Sequence, residues 1–203
     1  MEKEKEKVLE EIKNETIKNH VPILQDVSLD LIEVILKIKK PNKILEIGTA
    51  VGYSAIKFSK YLDGKNSKIK TIELKEEMYN TAIKNINAMN LNEKIEVIHA
   101  DATKYLSTID EKKETFDVIF IDAAKGQYLV FLEEAIRLAN NNAVIIADNV
   151  YFHGRVLNGY NEHRHRTATN RLKEYIRIVN EDKRLKSTVL NVGDGVAISV
   201  VTK

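Results

Sequence analysis

The 203-residue sequence contains no cysteine and only two prolines. The absence of cysteine excludes disulfide bonds, thiolate zinc ligands and cysteine nucleophiles from this chain. Long apolar runs are also missing: the longest, Tyr128–Leu132 and Ala143–Ala147, fall far short of the roughly 20 residues that a membrane-spanning helix needs. The charged N-terminus lacks the apolar core of a secretory signal. We therefore expect a cytoplasmic protein that does not bind a membrane.

Short apolar segments alternate with helical patterns from Lys43 onwards. Seven segments have the composition of strands: 43–47, 68–74, 94–100, 116–122, 142–148, 187–192 and 196–201. Helical patterns separate the first five segments, which predicts parallel βαβ units. The last two segments are joined only by Gly193–Gly195, a connection short enough for an antiparallel hairpin. We therefore predict an α/β fold with a Rossmann-like, doubly wound sheet of seven strands that ends in an antiparallel hairpin.

The region before the first strand has the pattern of a helical N-terminal extension. Apolar residues recur at helical spacing within residues 1–40, and the second run ends before Pro41. Neither a Gly/Ser-rich linker nor an internal repeat interrupts the sequence. We therefore expect residues 1–203 to form a single domain. A seven-stranded sheet of this kind resembles the class I methyltransferase fold, which uses S-adenosylmethionine.

A candidate cofactor site follows the first three predicted strands. Gly48 and Gly52 flank the first turn, where Gly48 lets the backbone approach a ligand, although two glycines also occur in ordinary tight loops. Their GxxxG spacing differs from the GxGxxG pattern of pyrophosphate-binding loops. Glu73 ends the second strand, where an acid is placed to accept hydrogen bonds from both hydroxyls of a ribose. Asp101 and Ala102 follow the third strand and are placed to bind an adenine edge.

Polar side chains also follow the fourth and fifth predicted strands. Asp122 ends one segment, and Asp148 and Asn149 end the next. The carboxyl ends of parallel strands meet at one edge of a sheet, so these three side chains are expected to converge. Two carboxylates and an amide oxygen suit a hard cation such as Mg²⁺. Lys125 lies near this cluster, either as a general base or as a salt-bridge partner of a strand-end acid.

Four sequence blocks carry a resemblance to a known family: ILEIGTAVGYSA, DVIFIDAAKGQY, ADNVYFHG and VGDGVAIS, with HVPIL ahead of the first strand. They resemble the metal-dependent O-methyltransferases of the caffeoyl-CoA/catechol type, most closely the short bacterial tRNA 5-hydroxyuridine methyltransferases. The resemblance implies that S-adenosylmethionine is contacted by Leu24, Ser54, Glu73, Asp101, Ala102 and Asp122. It implies a Mg²⁺ site at Asp122, Asp148 and Asn149. It also implies Lys125 as the general base and a homodimer.

These features combine into one predicted reaction. Mg²⁺ lowers the pKa of a hydroxyl that it binds, and an acceptor with two adjacent oxygens is able to chelate it. Both 5-hydroxyuridine and a catechol have such oxygens. The predicted function is Mg²⁺-dependent methyl transfer from S-adenosylmethionine to 5-hydroxyuridine at the wobble position of a tRNA anticodon loop, which gives 5-methoxyuridine. The alternative is an O-methyltransferase that acts on a small catechol-like metabolite.

The segment after the fifth strand favours RNA over a small metabolite. Residues 151–186 contain nine basic and four acidic residues. Aromatic residues, among them Tyr160, are interleaved with four arginines that suit phosphate contacts and base stacking: Arg155, Arg164, Arg166 and Arg171. The expected nucleic-acid partner is RNA and not DNA. The basic residues also fit a solvated helix face. A third alternative, a non-catalytic binding module, is disfavoured because binding alone needs no metal site.

Overall fold

A computed structural model describes residues 2–158 and 163–203 of the chain. Its strands are Lys43–Ile47 (β1), Lys68–Glu73 (β2), Ile95–His99 (β3), Phe116–Ile121 (β4), Ala139–Ala147 (β5), Leu185–Leu190 (β6) and Val196–Val201 (β7). They form one seven-stranded sheet in the order β3-β2-β1-β4-β5-β7-β6. Strands β1 to β5 are parallel, and β7 pairs antiparallel with both β5 and β6. The predicted sheet and its C-terminal hairpin are therefore confirmed.

The hairpin connection is longer than the sequence predicted. Strand β6 begins at Leu185, and its last pair joins Leu190 to Val196. Residues 191–195 therefore form the connection, and the amide of Gly195 donates to the carbonyl of Val192 across it (2.9 Å). Strand β5 also begins earlier than predicted, because Ala139 already pairs with Phe116 of β4. The polar residues 140–142 lie in the register shift before the next pair. Neither extension has an apolar pattern that would reveal it.

Eight α-helices occur in the described residues: Glu2–Lys18 (α1), Asp26–Lys39 (α2), Tyr53–Phe58 (α3), Glu76–Ala88 (α4), Ala102–Tyr105 (α5), Tyr128–Leu138 (α6), Arg155–Asn158 (α7) and Arg166–Glu181 (α8). The first two form the predicted N-terminal extension. In the described ranges no helix has the length and apolar character needed to cross a bilayer.

The helices cover both faces of the sheet, as expected for strands that are apolar on both sides. On one face, α6 and α8 bury Phe131 and Tyr175 against the sheet. On the other face, α2 and α3 bury Ile32 and Phe58 in a second apolar cluster. The two clusters exclude water from both sides of the central strands, so the strand ends are held in fixed positions.

The strand order reverses between β1 and β4, which places a crevice at the carboxyl ends of these two strands. Backbone hydrogen bonds continue the sheet beyond the last paired residues. The amide of Gly48 donates to Ile72 (3.0 Å), that of Asp122 to Ile47 (3.0 Å), and that of Asp148 to Ile121 (3.1 Å). The turns that follow β1, β4 and β5 therefore start at one rigid edge.

Candidate active site

A cleft of about 500 Å³ opens at this edge of the sheet. Its walls come from the turn after β1, the segment 21–25 before α2, the ends of β4 and β5, and the β6–β7 connection. A second cleft of about 490 Å³ lies beside it, towards β2 and β3. The two clefts share Gly48, Glu73 and Asp122. Together they form one groove that crosses the reversal point of the sheet.

Gly48 brings the turn after β1 against the end of β4. Its φ angle is +96°, and a Cβ atom at this position would lie only 2.2 Å from the carbonyl oxygen of Asp122. Since L-residues avoid this φ region, only glycine combines the conformation with the close approach. Gly52 has a different role, because a Cβ there would meet Ala82 of α4 (3.3 Å). Its small size permits helix packing.

Glu46 stabilises the same turn from its buried side. The sequence-based predictions did not include this residue. Its fully buried carboxylate accepts hydrogen bonds from the hydroxyls of Ser54 (2.5 Å), Thr49 (2.8 Å) and Thr71 (2.5 Å). Burial raises the pKa of Glu46, and the three hydroxyls oppose that rise. The signal was an acidic residue inside an otherwise apolar strand. Ser54 lines the cleft as well, and its hydroxyl is oriented by Glu46.

Glu73 lies where the two clefts join. Its carboxylate accepts hydrogen bonds from the backbone amides of Ala50 (2.9 Å) and Lys75 (2.8 Å), one on each oxygen. These bonds fix the orientation of a side chain that is 9% exposed and leave each oxygen with further lone pairs. The arrangement suits a bidentate acceptor for a diol.

Asp101 and Ala102 line the second cleft. The Asp101 carboxylate caps α5, because it accepts hydrogen bonds from the Thr103 amide (2.9 Å) and hydroxyl (2.7 Å). These hydrogen bonds keep the pKa of Asp101 below its usual value. Leu24 is buried in the wall of the first cleft. All the residues predicted to bind the cofactor therefore lie along one groove, and their role as ligands stays a prediction.

Asp148 is the most unusual side chain of the site. It is completely buried, and neither carboxylate oxygen receives a hydrogen bond from any described residue. Burial and the neighbouring Asp122 carboxylate raise the pKa of Asp148 to about 6. The Asn149 amide, the Lys125 ammonium and the Ser28 hydroxyl lie near enough to oppose this rise in pKa, but none of them has the geometry of a hydrogen bond to the carboxylate. A buried anion without donors is costly unless a cation pairs with it.

Lys125 contacts both Asp122 and Asp148. Its ammonium group donates to the side chains of Asp122 (3.0 Å) and Asn149 (3.5 Å), to the carbonyl of Asp148 (3.2 Å) and to the hydroxyl of Tyr128 (2.5 Å). Both sequence interpretations of Lys125, a salt-bridge partner and a residue at the reacting centre, are compatible with this position. The Tyr128 hydroxyl in turn donates to the Asp148 carbonyl (2.8 Å).

The oxygen donors fit a hard divalent cation. Asp122, Asp148 and Asn149 converge at the ends of β4 and β5, and Asp148 has unused lone pairs on both oxygens. Among residues 2–158 and 163–203, no three His, Asp or Glu side chains converge on one point. A cation here therefore depends on two carboxylates and an amide, which leaves coordination positions for acceptor oxygens. Their role as metal ligands stays a prediction.

The loop after Asn149 overhangs the first cleft. Phe152 and His153 line the cleft beside Asn149. The Arg155 guanidinium lies 5.1 Å from the centre of the Phe152 ring, a cation–π contact. His165 packs edge-on with the same ring, with the two ring centroids 5.5 Å apart. An aromatic wall therefore stands next to the proposed metal site.

The predicted RNA-binding arginines are only partly described. Arg166 and Arg171 are exposed on α8, whereas the side chain of Arg164 and the whole of Tyr160 lie outside the described residues. Further along α8, Arg177 forms ion pairs with Glu174 (2.8 Å) and with Glu181. Part of the basic charge on this helix is therefore neutralised locally.

Comparisons with known proteins agree with this fold. The family model described as O-methyltransferase matches residues 1–202. A catechol O-methyltransferase from Niastella koreensis is 30% identical over 84% of this chain and 78% of its own length. A flavonoid 3′,5′-methyltransferase from Vitis vinifera is 30% identical over 82% of this chain and 73% of its own length.

A solved structure has the same architecture. The O-methyltransferase from Bacillus cereus in complex with SAH has a TM-score of 0.86 and 29% identity, and the match covers 97% of this chain and 91% of that chain. The seven-stranded fold, with its crevice at the strand ends, is therefore shared with a solved methyltransferase. This chain belongs to the O-methyltransferase family.

Proposed function

We propose that this protein transfers the methyl group of S-adenosylmethionine to one of two adjacent hydroxyls of a small catechol-like acceptor, with a divalent cation such as Mg²⁺ at Asp122, Asp148 and Asn149. The proposal rests on the Asp148 carboxylate. This group is buried next to Asp122 and Lys125 and receives no hydrogen bond from the described residues. The catechol O-methyltransferase of Niastella koreensis and the SAH complex of the Bacillus cereus enzyme support the acceptor and the cofactor.

The groove divides the two ligands between its two halves. S-adenosylmethionine, when bound, supplies an electrophilic methyl group on a sulfonium. Glu73 would accept the ribose hydroxyls, while Asp101 and Ala102 line the half that suits the adenine. Ser54 and Leu24 line the other half, where the methionine end of the cofactor would meet the acceptor. The close approach of Gly48 to Asp122 keeps the two halves in contact.

The residues of the second half would prepare the acceptor oxygen. A divalent cation, when bound, lowers the pKa of a hydroxyl that it chelates. Lys125 donates to the Asp122 and Asn149 oxygens that would hold this cation, so its side chain lies beside the acceptor. In its neutral amine form Lys125 would receive the hydroxyl proton and become the ammonium. Phe152 provides a flat apolar wall against which an aromatic acceptor ring is able to stack.

A second candidate function is methylation of 5-hydroxyuridine in a tRNA anticodon loop. Its O5 hydroxyl and O4 carbonyl form the same chelating pair as a catechol. Two exposed arginines on α8, Arg166 and Arg171, favour this candidate because such cations bind phosphates. The first turn of α8 follows His165, which contacts the Phe152 ring. The ion-paired Arg177 and the small-molecule names of the relatives place it second.

Paired transfer assays distinguish the two candidates. The protein, S-adenosylmethionine and Mg²⁺ are incubated with protocatechuate or with tRNA that contains 5-hydroxyuridine, and methylated products are measured by mass spectrometry. We expect methylated protocatechuate, with a rate that the Arg166→Ala/Arg171→Ala variant leaves unchanged. The tRNA function would be the correct one if the protein forms 5-methoxyuridine and no catechol product, and if the double variant or high salt abolishes the formation of 5-methoxyuridine.

The affinity for S-adenosylmethionine is expected to fall about ten- to hundredfold in Glu73→Ala. The variant removes the charged acceptor for the ribose hydroxyls, together with the hydrogen bonds that Glu73 accepts from the Ala50 and Lys75 amides. Isothermal titration calorimetry measures the change. Glu76→Ala is the matched control, because Glu76 lies exposed in the first turn of α4 and outside both clefts. An affinity equal to that of the wild type in Glu73→Ala would place the ribose elsewhere.

A further inference from the structure

The β6–β7 connection forms part of the wall of the active-site cleft. A Cβ atom on Gly193 would lie 2.5 Å from the Ser28 hydroxyl, and one on Gly195 would lie 2.6 Å from the Tyr151 ring. Both glycines have positive φ angles, +56° and +86°. The connection therefore packs between the start of α2 on one side and the loop after β5 on the other, with no space for larger residues.

Asp194 sits between these two glycines and binds the loop after β5. Its carboxylate accepts hydrogen bonds from the backbone amides of His153 (2.6 Å) and Gly154 (3.3 Å). Its carbonyl accepts from the amide of Tyr151 (2.9 Å), and the Gly195 carbonyl accepts from that of Val150 (3.0 Å). The Asp194 side chain is only 11% exposed. Most of the loop that follows Asn149 is therefore anchored to this connection.

The anchored loop has a backbone conformation that its sequence disfavours. Phe152 and His153 have φ angles of +50° and +55°, in the left-handed region that L-residues avoid. Such residues keep this conformation only where their surroundings enforce it. Charge-assisted hydrogen bonds from the amides of His153 and Gly154 to Asp194 provide that constraint.

We infer that Asp194 is a positioning residue that sets how the acceptor lies over the reacting centre. By holding Phe152 and His153 in the left-handed conformation, it fixes the wall that faces Asn149 and Lys125. The orientation of this wall decides which of the two adjacent hydroxyls of an asymmetric catechol points to the cofactor half of the groove. The inference rests on the proposed function and adds a determinant of regioselectivity to it.

Variants of Asp194 test the inference. Asp194→Ala removes the carboxylate, whereas Asp194→Asn keeps one oxygen that is able to accept from the His153 amide. The matched control is Asp182→Ala, because Asp182 is similarly buried (14% exposed) and accepts from the Arg184 amide (2.8 Å) at the other end of β6, outside both clefts. Hydrogen exchange of the His153 and Gly154 amides, S-adenosylmethionine affinity, KM for protocatechuate and the ratio of its two methylated products are measured.

In Asp194→Ala we expect faster exchange of both amides, a KM for protocatechuate raised about tenfold and a product ratio changed at least about twofold. The affinity for S-adenosylmethionine should stay within about twofold, since Asp194 lies outside the cofactor half. Asp194→Asn should fall between the wild type and Asp194→Ala, and Asp182→Ala should match the wild type. If Asp194→Ala does not fold, Asp194→Asn decides.

Two results would overturn the inference: unchanged exchange of the two amides, or faster exchange with the KM and the product ratio of the wild type. Failure of the proposed function would look different, because the wild type itself would then not methylate protocatechuate. In that case the same variants are compared on the tRNA substrate, with KM as the readout. An unchanged KM there would equally contradict the inference.

Discussion

Asp148→Ala is expected to lower methyl transfer by about a thousandfold or more, while S-adenosylmethionine binds with nearly the affinity of the wild type. Asp148 contributes the two buried oxygens without hydrogen-bond donors that the proposed cation would pair with. Asp148 lines neither cleft, so we expect cofactor binding not to depend on it. Transfer rates with protocatechuate and calorimetric titrations with S-adenosylmethionine measure the two effects.

Two further variants make this prediction specific. Asp148→Asn keeps the shape of the side chain and removes its charge, so the same loss of transfer is expected in a protein that folds. Asp110→Ala is the control, because Asp110 is an exposed loop aspartate that accepts from the Lys112 amide (3.0 Å) and lines neither cleft. Transfer at the rate of the wild type in either Asp148 variant would exclude it as a metal ligand.

Gly48→Ala is expected to weaken S-adenosylmethionine binding by a hundredfold or more, about 3 kcal/mol, and to lower the free energy of unfolding. The new Cβ would lie 2.2 Å from the Asp122 carbonyl oxygen, so the turn after β1 must move away from the end of β4. That movement displaces both the cofactor groove and Asp122. Calorimetry and thermal unfolding measure the changes.

The Gly64→Ala variant distinguishes the effect of backbone strain from the effect of the close approach to Asp122. Gly64 also has a positive φ angle, +107°, but its nearest neighbour to a new Cβ would be the Ser67 hydroxyl at 3.4 Å. This variant should lose roughly 1–2 kcal/mol of stability from the backbone conformation and keep the affinity of the wild type for the cofactor. Equal losses of affinity in Gly48→Ala and Gly64→Ala would show that the approach to Asp122 is not important.

The sequence predicted the sheet and the edge at which the polar residues meet. Alternating strands and helices determined the strand directions, and parallel strands bring Asp122, Asp148 and Asn149 to the same edge by geometry alone. The resemblance to O-methyltransferases was also correct, since the chain belongs to that family. The metal dependence that the resemblance implies stays a prediction. The tRNA substrate, the homodimer, the cytoplasmic location and a single domain over residues 1–203 stay predictions.

Other parts of the site depend on contacts between residues that are distant in sequence. Asp194 has the pattern of an ordinary turn residue between two glycines, and only the fold brings it to amides about 40 residues earlier. The left-handed conformations of Phe152 and His153 are enforced by those contacts and have no local signal. Arg177 is different: Glu174 and Glu181, three and four residues away on one helix, predict its ion pairs from spacing alone.

The most direct test of the central claim is the dependence of catechol methylation on a divalent cation. Purified protein is treated with EDTA, and transfer from S-adenosylmethionine to protocatechuate is measured before and after Mg²⁺ is added. The buried carboxylate of Asp148 and the neighbouring carboxylate of Asp122 predict no measurable transfer in EDTA and full recovery with Mg²⁺, with no recovery in Asp148→Asn. Transfer that proceeds equally fast in EDTA and in Mg²⁺ would contradict the proposed mechanism.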